Sequence, residues 1–574
     1  MRLGDWIEET HSTGFELRRH FFARFFDSEL VSSPGQWKVV AGGALALVLS
    51  LGIVFMQAYY HKYRMLEALD TPEPYRLAAI ADALFMITLA MCLIGFFTTM
   101  QWPSLFPGLR DYLVLASLPV RMRSVFVARF TALIMLAGMF IAAINLMPSV
   151  MLQFVVVGRY TYVVGPQILG IFVSASLAAW FVFFLLVAFQ GVLLNVVPIR
   201  LFPRVSLALQ GVLLTVCLCA LPLVFSIPSL NNSMTLRPEW AVWAPPLWFL
   251  GLDQILVGHF EPYAWRLAEI SILATAAAGA LATLTYFWSY RRHRRRLLES
   301  PGMETTKGSA WAAQLSERLL PNPRELAVFA FVAKMLARSR HHRLVLTAFA
   351  GIALAIIFES FVSLALNRGF HGFSTNTPGL RQAVISAPLA LSLFILAGFR
   401  YLFRLPVELR ANWIFRTAEP GNRLDFLQAV EKFLIYCAVI PAALLTLPME
   451  LRFLGIGTGL LSTIVCALCS LVLMELLLIQ SEKIPFTSSY LPGKRPLIET
   501  TIIYGIAVTL YVSVLGSLIS WCLFRPGATV ILLGILLASW WKARQARRDL
   551  QEIGQLEFEE MLEPAVLTLS IDRD

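Results

Sequence analysis

The sequence predicts an all-α, polytopic membrane protein with about twelve transmembrane helices, arranged as two parallel six-helix repeats. Three observations carry that expectation. Apolar runs of about 20 residues recur along the 574-residue chain, and at about 1.5 Å per residue such a run covers the roughly 30 Å hydrocarbon layer of a bilayer. Most of the 47 Lys and Arg residues fall in every second connection between runs, the asymmetry that sets membrane orientation. One proline-bounded loop also occurs twice, at the same place in each half.

Composition narrows the function classes. With 58% hydrophobic and only 14% charged residues, against about a quarter charged in soluble proteins, an ordinary soluble enzyme is excluded. The net charge of +11 would suit nucleic acid, but the basic residues sit in short loops beside apolar runs. Membrane lipid is therefore the expected partner, and no nucleic acid is expected.

In chain order, the first 38 residues are polar or mixed and include Asp5, Glu8 and Glu9, so no cleavable signal peptide is expected. Spans follow near Val39 to Tyr60, Leu77 to Phe97, Val125 to Val157, Ile168 to Val196, Val205 to Ile227 and Ile270 to Trp288. A second set runs near Leu344 to Leu366, Gln382 to Leu402, Phe426 to Leu447, Gly455 to Ile479, Thr500 to Leu523 and a short Ala528 to Trp541. The positive-inside rule then places both termini in the cytoplasm; the expected location is a plasma membrane of the bacterial inner type. The expected domains are a first amphipathic helix and six-span half over 1–300, a cytoplasmic linker over 301–325, and a second amphipathic helix, six-span half and acidic tail over 326–574.

Each half opens with an amphipathic segment. Phe15, Leu17, Phe21, Phe22, Phe25 and Phe26 alternate with Arg18, Arg19 and Arg24 in the first. In the second, Leu326, Phe329, Phe331, Val332, Met335 and Leu336 accompany Lys334, Arg338, Arg340 and Arg343. Aromatic groups on one side and cations on the other suit a helix lying in the headgroup layer. The run Arg291, Arg292, Arg294, Arg295 and Arg296 between the halves reads as a stop-transfer and lipid-headgroup anchor.

The repeated loop follows the second span of each half. Phe106-Pro107 leads to Arg110, Asp111 and Tyr112, then Leu118-Pro119, Arg121 and Arg123, with Arg129 at the mouth of the third span. Leu405-Pro406 leads to Arg410, Asn412 and Trp413, then Pro420 and Arg423, with Lys432 at the matching mouth. In both, a short amphipathic helix is bracketed by prolines that break the neighbouring helices. Two even-numbered halves with the same inner loop read as a parallel duplication about the membrane normal, an arrangement used by transporters.

At these loops the chain resembles the type-two ABC (ATP-binding-cassette) exporter permeases, in a form with two six-span units fused. Lys483 to Thr487, Leu491 to Lys494 and the acidic tail around Glu559, Glu560 and Glu563 support the resemblance. It implies a transport subunit, not an enzyme, driven by separate ABC ATPase subunits, two copies of them. It makes Arg110, Asp111, Tyr112, Pro119, Arg410, Asn412, Trp413 and Pro420 the ATPase-coupling residues, and assigns ATP and magnesium to the partner. The family's short outer helices between the fifth and sixth spans have a counterpart in Asn231 to Pro262, rich in Trp and Pro. The matching loop of the second half, about Phe524 to Gly527, is too short for one.

No phosphate-binding GxxxxGK[ST] motif is present, since Gly493-Lys494-Arg495 lacks its spacing; no cofactor is expected in this chain. No metal site is expected, because Cys466 and Cys469 have no second ligand pair and the His residues form no HExxH. His341-His342 reads as part of a solvated basic face. A charge at mid-membrane costs about 2.5 to 3.5 kcal/mol on insertion scales, which singles out Asp82, Glu359 and Glu475, together with Arg129 and Lys432, as possible intramembrane polar groups. Headgroups, or basic residues such as Arg129, are the expected partners of Asp82 and Glu475. Ion coupling through such carboxylates in a twelve-span secondary transporter is the competing reading.

Overall fold

A computed structural model describes residues 14–22, 53, 56–57, 59–69, 71–106, 122–156, 164–198, 201–226, 242–299, 317–318, 320–368, 377–403, 405, 415, 417, 423–479, 484–487 and 505–553. Among them every regular element is helical, and eleven helices are long and apolar enough to cross a membrane. The chain is an all-α polytopic membrane protein. Each of the eleven coincides with an expected span; the expected first span lies almost wholly outside the described residues. The final span, expected to be short, is a 28-residue helix. The chain forms two compact units, Met1–Glu304 and Thr305–Asp574.

Unit 1 contains α1 (Pro72–Met100), α2 (Met122–Val156), α3 (Val164–Val196), α4 (Phe202–Ser226), α5 (Pro245–Val257) and α6 (Pro262–Glu299). Residues 14–22 and 59–67 are also helical. Proline opens α1, α5 and α6, where a missing N–H costs nothing because the first helical donors have no partner. The core is a continuous apolar cluster around Phe85, Ile87, Ile94, Ala178, Phe183 and Val187 on the facing sides of α1 and α3. Small residues let backbones approach as lipid-embedded helices require. A Cβ on Gly251 of α5 would lie 2.5 Å from the Leu267 Cβ of α6.

Unit 2 contains α7 (Pro323–Arg338), α8 (Arg340–Arg368), α9 (Pro378–Leu402), α10 (Arg423–Leu434), α11 (Ile440–Leu454), α12 (Ile456–Leu478), α13 (Leu515–Leu523) and α14 (Pro526–Ile553). Pro441 cannot donate to the carbonyl four residues back, and a wide π-turn over Ile435–Val439 joins α10 to α11 just ahead of it. A second π-turn, Thr509–Val514, precedes α13. The second amphipathic segment stops at Arg338: Ser339 is extended, and Arg340 and Arg343 begin the next helix, a correction to the single segment read from the sequence. All seven cysteines are free, and Cys466 and Cys469 pack in the apolar core of α12.

The same helix pairs meet in both units. The second span packs on the third, fourth and fifth, and the fourth packs on the third and sixth: α1 with α2, α3 and α4, and α3 with α2 and α6, against α9 with α11, α12 and α13, and α12 with α11 and α14.

Candidate functional site

At one end of unit 1 the carbonyls at the C-terminus of α1 and in the short 3-10 turn Trp102–Ser104 that follows it are met by side chains from three other helices. Gln210 of α4 donates to the Thr99 carbonyl at 2.9 Å, Gln190 of α3 to that of Trp102 at 2.9 Å, and Arg129 of α2 to that of Ser104 at 2.7 Å. The Trp102 indole N–H in turn reaches Ser206 Oγ at 3.0 Å. Arg129 also lies 5.3 Å from the Phe21 ring centroid, a cation–π contact. Leu17 and Phe21 pack on Val125, Ala128 and Ala132 of α2.

The matching end of unit 2 repeats this arrangement with different chemistry. Lys432, on α10, forms an ion pair with Glu325 on α7, while Val328 and Val332 of α7 join the apolar cluster with Phe426, Val430 and Phe433. The basic residue at the mouth of the third span therefore grips the amphipathic segment in each unit. The loops that carry Arg110, Asp111, Tyr112 and Pro119, and Arg410, Asn412, Trp413 and Pro420, begin beside these ends, after Phe106 and Leu405; those eight residues lie outside the described ones.

Three further findings at this end of unit 2 follow, of which the first departs from the sequence reading. His342 is buried, with its Nδ1 2.6 Å from Ser339 Oγ and its ring 5.1 Å from Phe486, so it is not part of a solvated face; His341 beside it is exposed. Phe486 has a φ of 67°, unfavourable for a bulky residue, and its ring is pinned between His342 and Phe403. Glu475 pairs with Arg547 of α14 at 2.6 Å, and Arg547 also pairs with Glu431 of α10, which lies 3.1 Å from Arg544. In unit 1 the junction of the third and sixth spans holds aromatic rings instead, with Tyr286 stacked on Phe106 at 4.7 Å and tilted on Phe130 at 4.6 Å.

Asp82 is satisfied by Lys62, with Nζ 2.7 and 2.8 Å from its two oxygens, and by the Tyr63 hydroxyl at 2.7 Å. Arg129 is not its partner: it binds Ser104, just past the far end of α1 and roughly 30 Å away. Glu359 is exposed on α8 and makes no hydrogen bond or ion pair among the described residues. Sequence reasoning passed over Glu450 of α11, which is fully buried with Thr463 donating to it at 2.8 Å. The glycines at 455, 457 and 459 that follow were the available signal, since Gly459 sits against the Glu450 backbone, about 3.0 Å from where its Cβ would be.

The opposite end of unit 1 contains a cavity of about 480 Å³, within the usual size of small-molecule sites. One face of α1 lines it at helical spacing, with Tyr75, Arg76, Ala79, Ile80 and Ala83. The end of α2 adds Leu152, Gln153 and Val156, and the start of α3 adds Pro166, Gln167 and Ile171. α5 supplies Asp253, Gln254 and Val257. Gly258 at φ 104° ends α5 in a Schellman turn, its N–H bonded to the Ile255 carbonyl at 3.0 Å and that of His259 to Gln254 at 2.8 Å. The chain thereby reverses into α6 and holds α5 across the helix ends. A Cβ on Gly170 would stand 2.9 Å from Asp253 Oδ1, so only glycine leaves room for this carboxylate.

Asp253 is 2% exposed. Burial pushes its carboxyl up to about 7, against a minor opposing contribution from the Gln254 amide at 3.4 Å. The sequence reading matched the segment to the family's short outer helices and left Asp253 unmarked; the single charged residue in this helix was the signal. In unit 2 only two residues separate α13 from α14, so no element equivalent to α5 exists there.

No family model matches the chain, and neither does a curated protein or a solved structure.

Proposed function

We propose that the chain is the membrane-spanning permease subunit of an ABC exporter, two six-span units fused in one polypeptide and driven by two copies of a separate ATPase. The observation that carries this reading is the doubled grip of an amphipathic segment by the third span, Arg129 over Phe21 and Lys432 with Glu325. A rigid lever at each loop origin is what a permease needs to turn a push from below into helix movement. The loops with Arg110, Asp111 and Tyr112, and with Arg410, Asn412 and Trp413, then contact the ATPases, which hold ATP and magnesium. The chain lies in the plasma membrane with both termini cytoplasmic, and exports a substrate whose class these loops leave open.

The test is biochemical. The purified chain alone hydrolyses no ATP, and an ATPase subunit co-purifies with it from detergent extracts. Reversing Asp111 to Lys together with Arg410 to Glu releases the ATPase or uncouples hydrolysis from transport; an unaltered complex with normal coupling removes the assignment.

Glu450 favours a second reading, an ion-coupled twelve-span carrier, because it is a buried carboxylate within a span whose partners among the described residues are hydroxyls rather than cations. Transport that continues without ATP, collapses with the proton gradient and is lost in Glu450→Gln would decide for the carrier.

A further inference from the structure

The cavity of unit 1 has an imbalance in its hydrogen-bonding groups. Two of its donors are engaged: the Tyr75 hydroxyl goes to the Val156 carbonyl, and Arg76 pairs with Glu261 at the rim at 3.5 Å. Three of its acceptors are not. Among the described residues, Asp253 Oδ1, Gln153 Oε1 and Gln167 Oε1 are all buried without a hydrogen-bond partner, and the first two belong to side chains at least nine-tenths buried. Buried polar atoms in native proteins are nearly always paired, so three unpaired acceptors around one cavity call for a donor from outside.

The rest of the wall limits what that donor is. Ile80, Ala83, Leu152 and Ile171 are aliphatic, which suits a hydrocarbon body. A hard inorganic cation needs six or more oxygen ligands, or keeps its waters, and one carboxylate with two amide oxygens falls short of that. An ammonium group has three N–H donors and no acceptor, which complements one carboxylate and two amides.

We propose that this cavity binds an amphiphilic amine, its ammonium group between Asp253, Gln153 and Gln167 and its apolar part against the aliphatic faces of α1, α2 and α3. Gly170 keeps the carboxylate seated in the wall, and α5 closes the site. Among the described residues unit 2 has no counterpart of α5, so this site belongs to unit 1. This is a statement about binding and does not depend on the exporter reading, because it is measured on the chain alone.

The test uses the full-length chain in nanodiscs with dansylcadaverine, a fluorescent primary amine, and its N-acetylated, uncharged analogue. Wild type shows saturable binding of the amine and at least tenfold weaker binding of the acetylated probe. Asp253→Asn weakens the amine at least tenfold, and Gln153→Leu several-fold. Ile80→Trp leaves the carboxylate intact and fills the cavity, so it abolishes saturable binding even should the Asp253 variant fold poorly. Equal binding of both probes, or wild-type binding in Ile80→Trp, overturns the proposal. Displacement of the probe by millimolar calcium, lost in Asp253→Asn, also overturns it by assigning an inorganic cation.

Discussion

Arg547 lies 2.6 Å from Glu475 and pairs at the same time with Glu431, so one guanidinium ties α14 to both α12 and α10. The three side chains are 5% exposed or less. With Arg544 at the edge, two acids and two bases balance, which is the condition under which charges persist away from water.

Removing one partner from this cluster is expected to cost far more than removing a matched pair. Arg547→Leu leaves two carboxylates with Arg544 alone and lowers stability by about 3 to 5 kcal/mol. Arg547→Leu with Glu475→Leu loses distinctly less, and the coupling is read from a thermal double-mutant cycle on the detergent-solubilised chain. A double variant whose loss equals the sum of the two single losses would show that the pair contributes nothing.

Asp82 presents the same physics at a smaller site. Its side chain is 1% exposed and Lys62 is its cation. Lys62→Met strands the carboxylate with only hydroxyl donors and is expected to loosen the 59–67 helix from α1, raising protease cleavage near residue 69. Adding Asp82→Asn removes the stranded charge and restores resistance. Cleavage that ignores the second substitution would contradict this pairing.

Asp253 predicts a pH dependence with a definite sign. A carboxyl held near 7 when folded and near 4 when unfolded binds more protons in the native state across that interval, so stability falls as pH rises from about 4 to about 7 and is level above it. The swing is on the order of a few kcal/mol. Titratable groups facing the cavity from the other elements are Tyr75, the Arg76–Glu261 pair and exposed His259; α2 and α3 contribute only Gln153 and Gln167. Asp253→Asn flattens the melting temperature over this range. A slope that persists in the variant assigns it to another group.

The Lys432–Glu325 pair should behave as a surface-edge contact, because Lys432 is about one-third exposed. Lys432→Glu costs about 1 kcal/mol after solvent screening and raises hydrogen exchange in α7. The charge swap with Glu325→Lys returns exchange towards wild type. No change in either variant would mean that the apolar contacts of Val328 and Val332 hold α7 unaided.

Helices and spans were legible because lipid imposes a length and a composition on any segment that crosses it, and each of the eleven described spans meets both. Pairings were not. Nothing local links Glu475 to Arg547 across 72 positions or Lys62 to Asp82 across 20, and the sequence reading offered Arg129 for the latter. His342 looked solvated because its neighbours Arg340 and Arg343 are charged, yet the helix break at Ser339 turns it onto Phe486.

By itself the sequence determined the all-helical membrane class and the placement of the eleven described spans, both consequences of hydrophobic period and charge placement. Only the tertiary structure decided which buried charge meets which, that Asp253 lies in the wall of a cavity, and that the two units close the same helix junction with rings in one and ions in the other. Such choices depend on distances between residues far apart in the chain, and packing sets those distances.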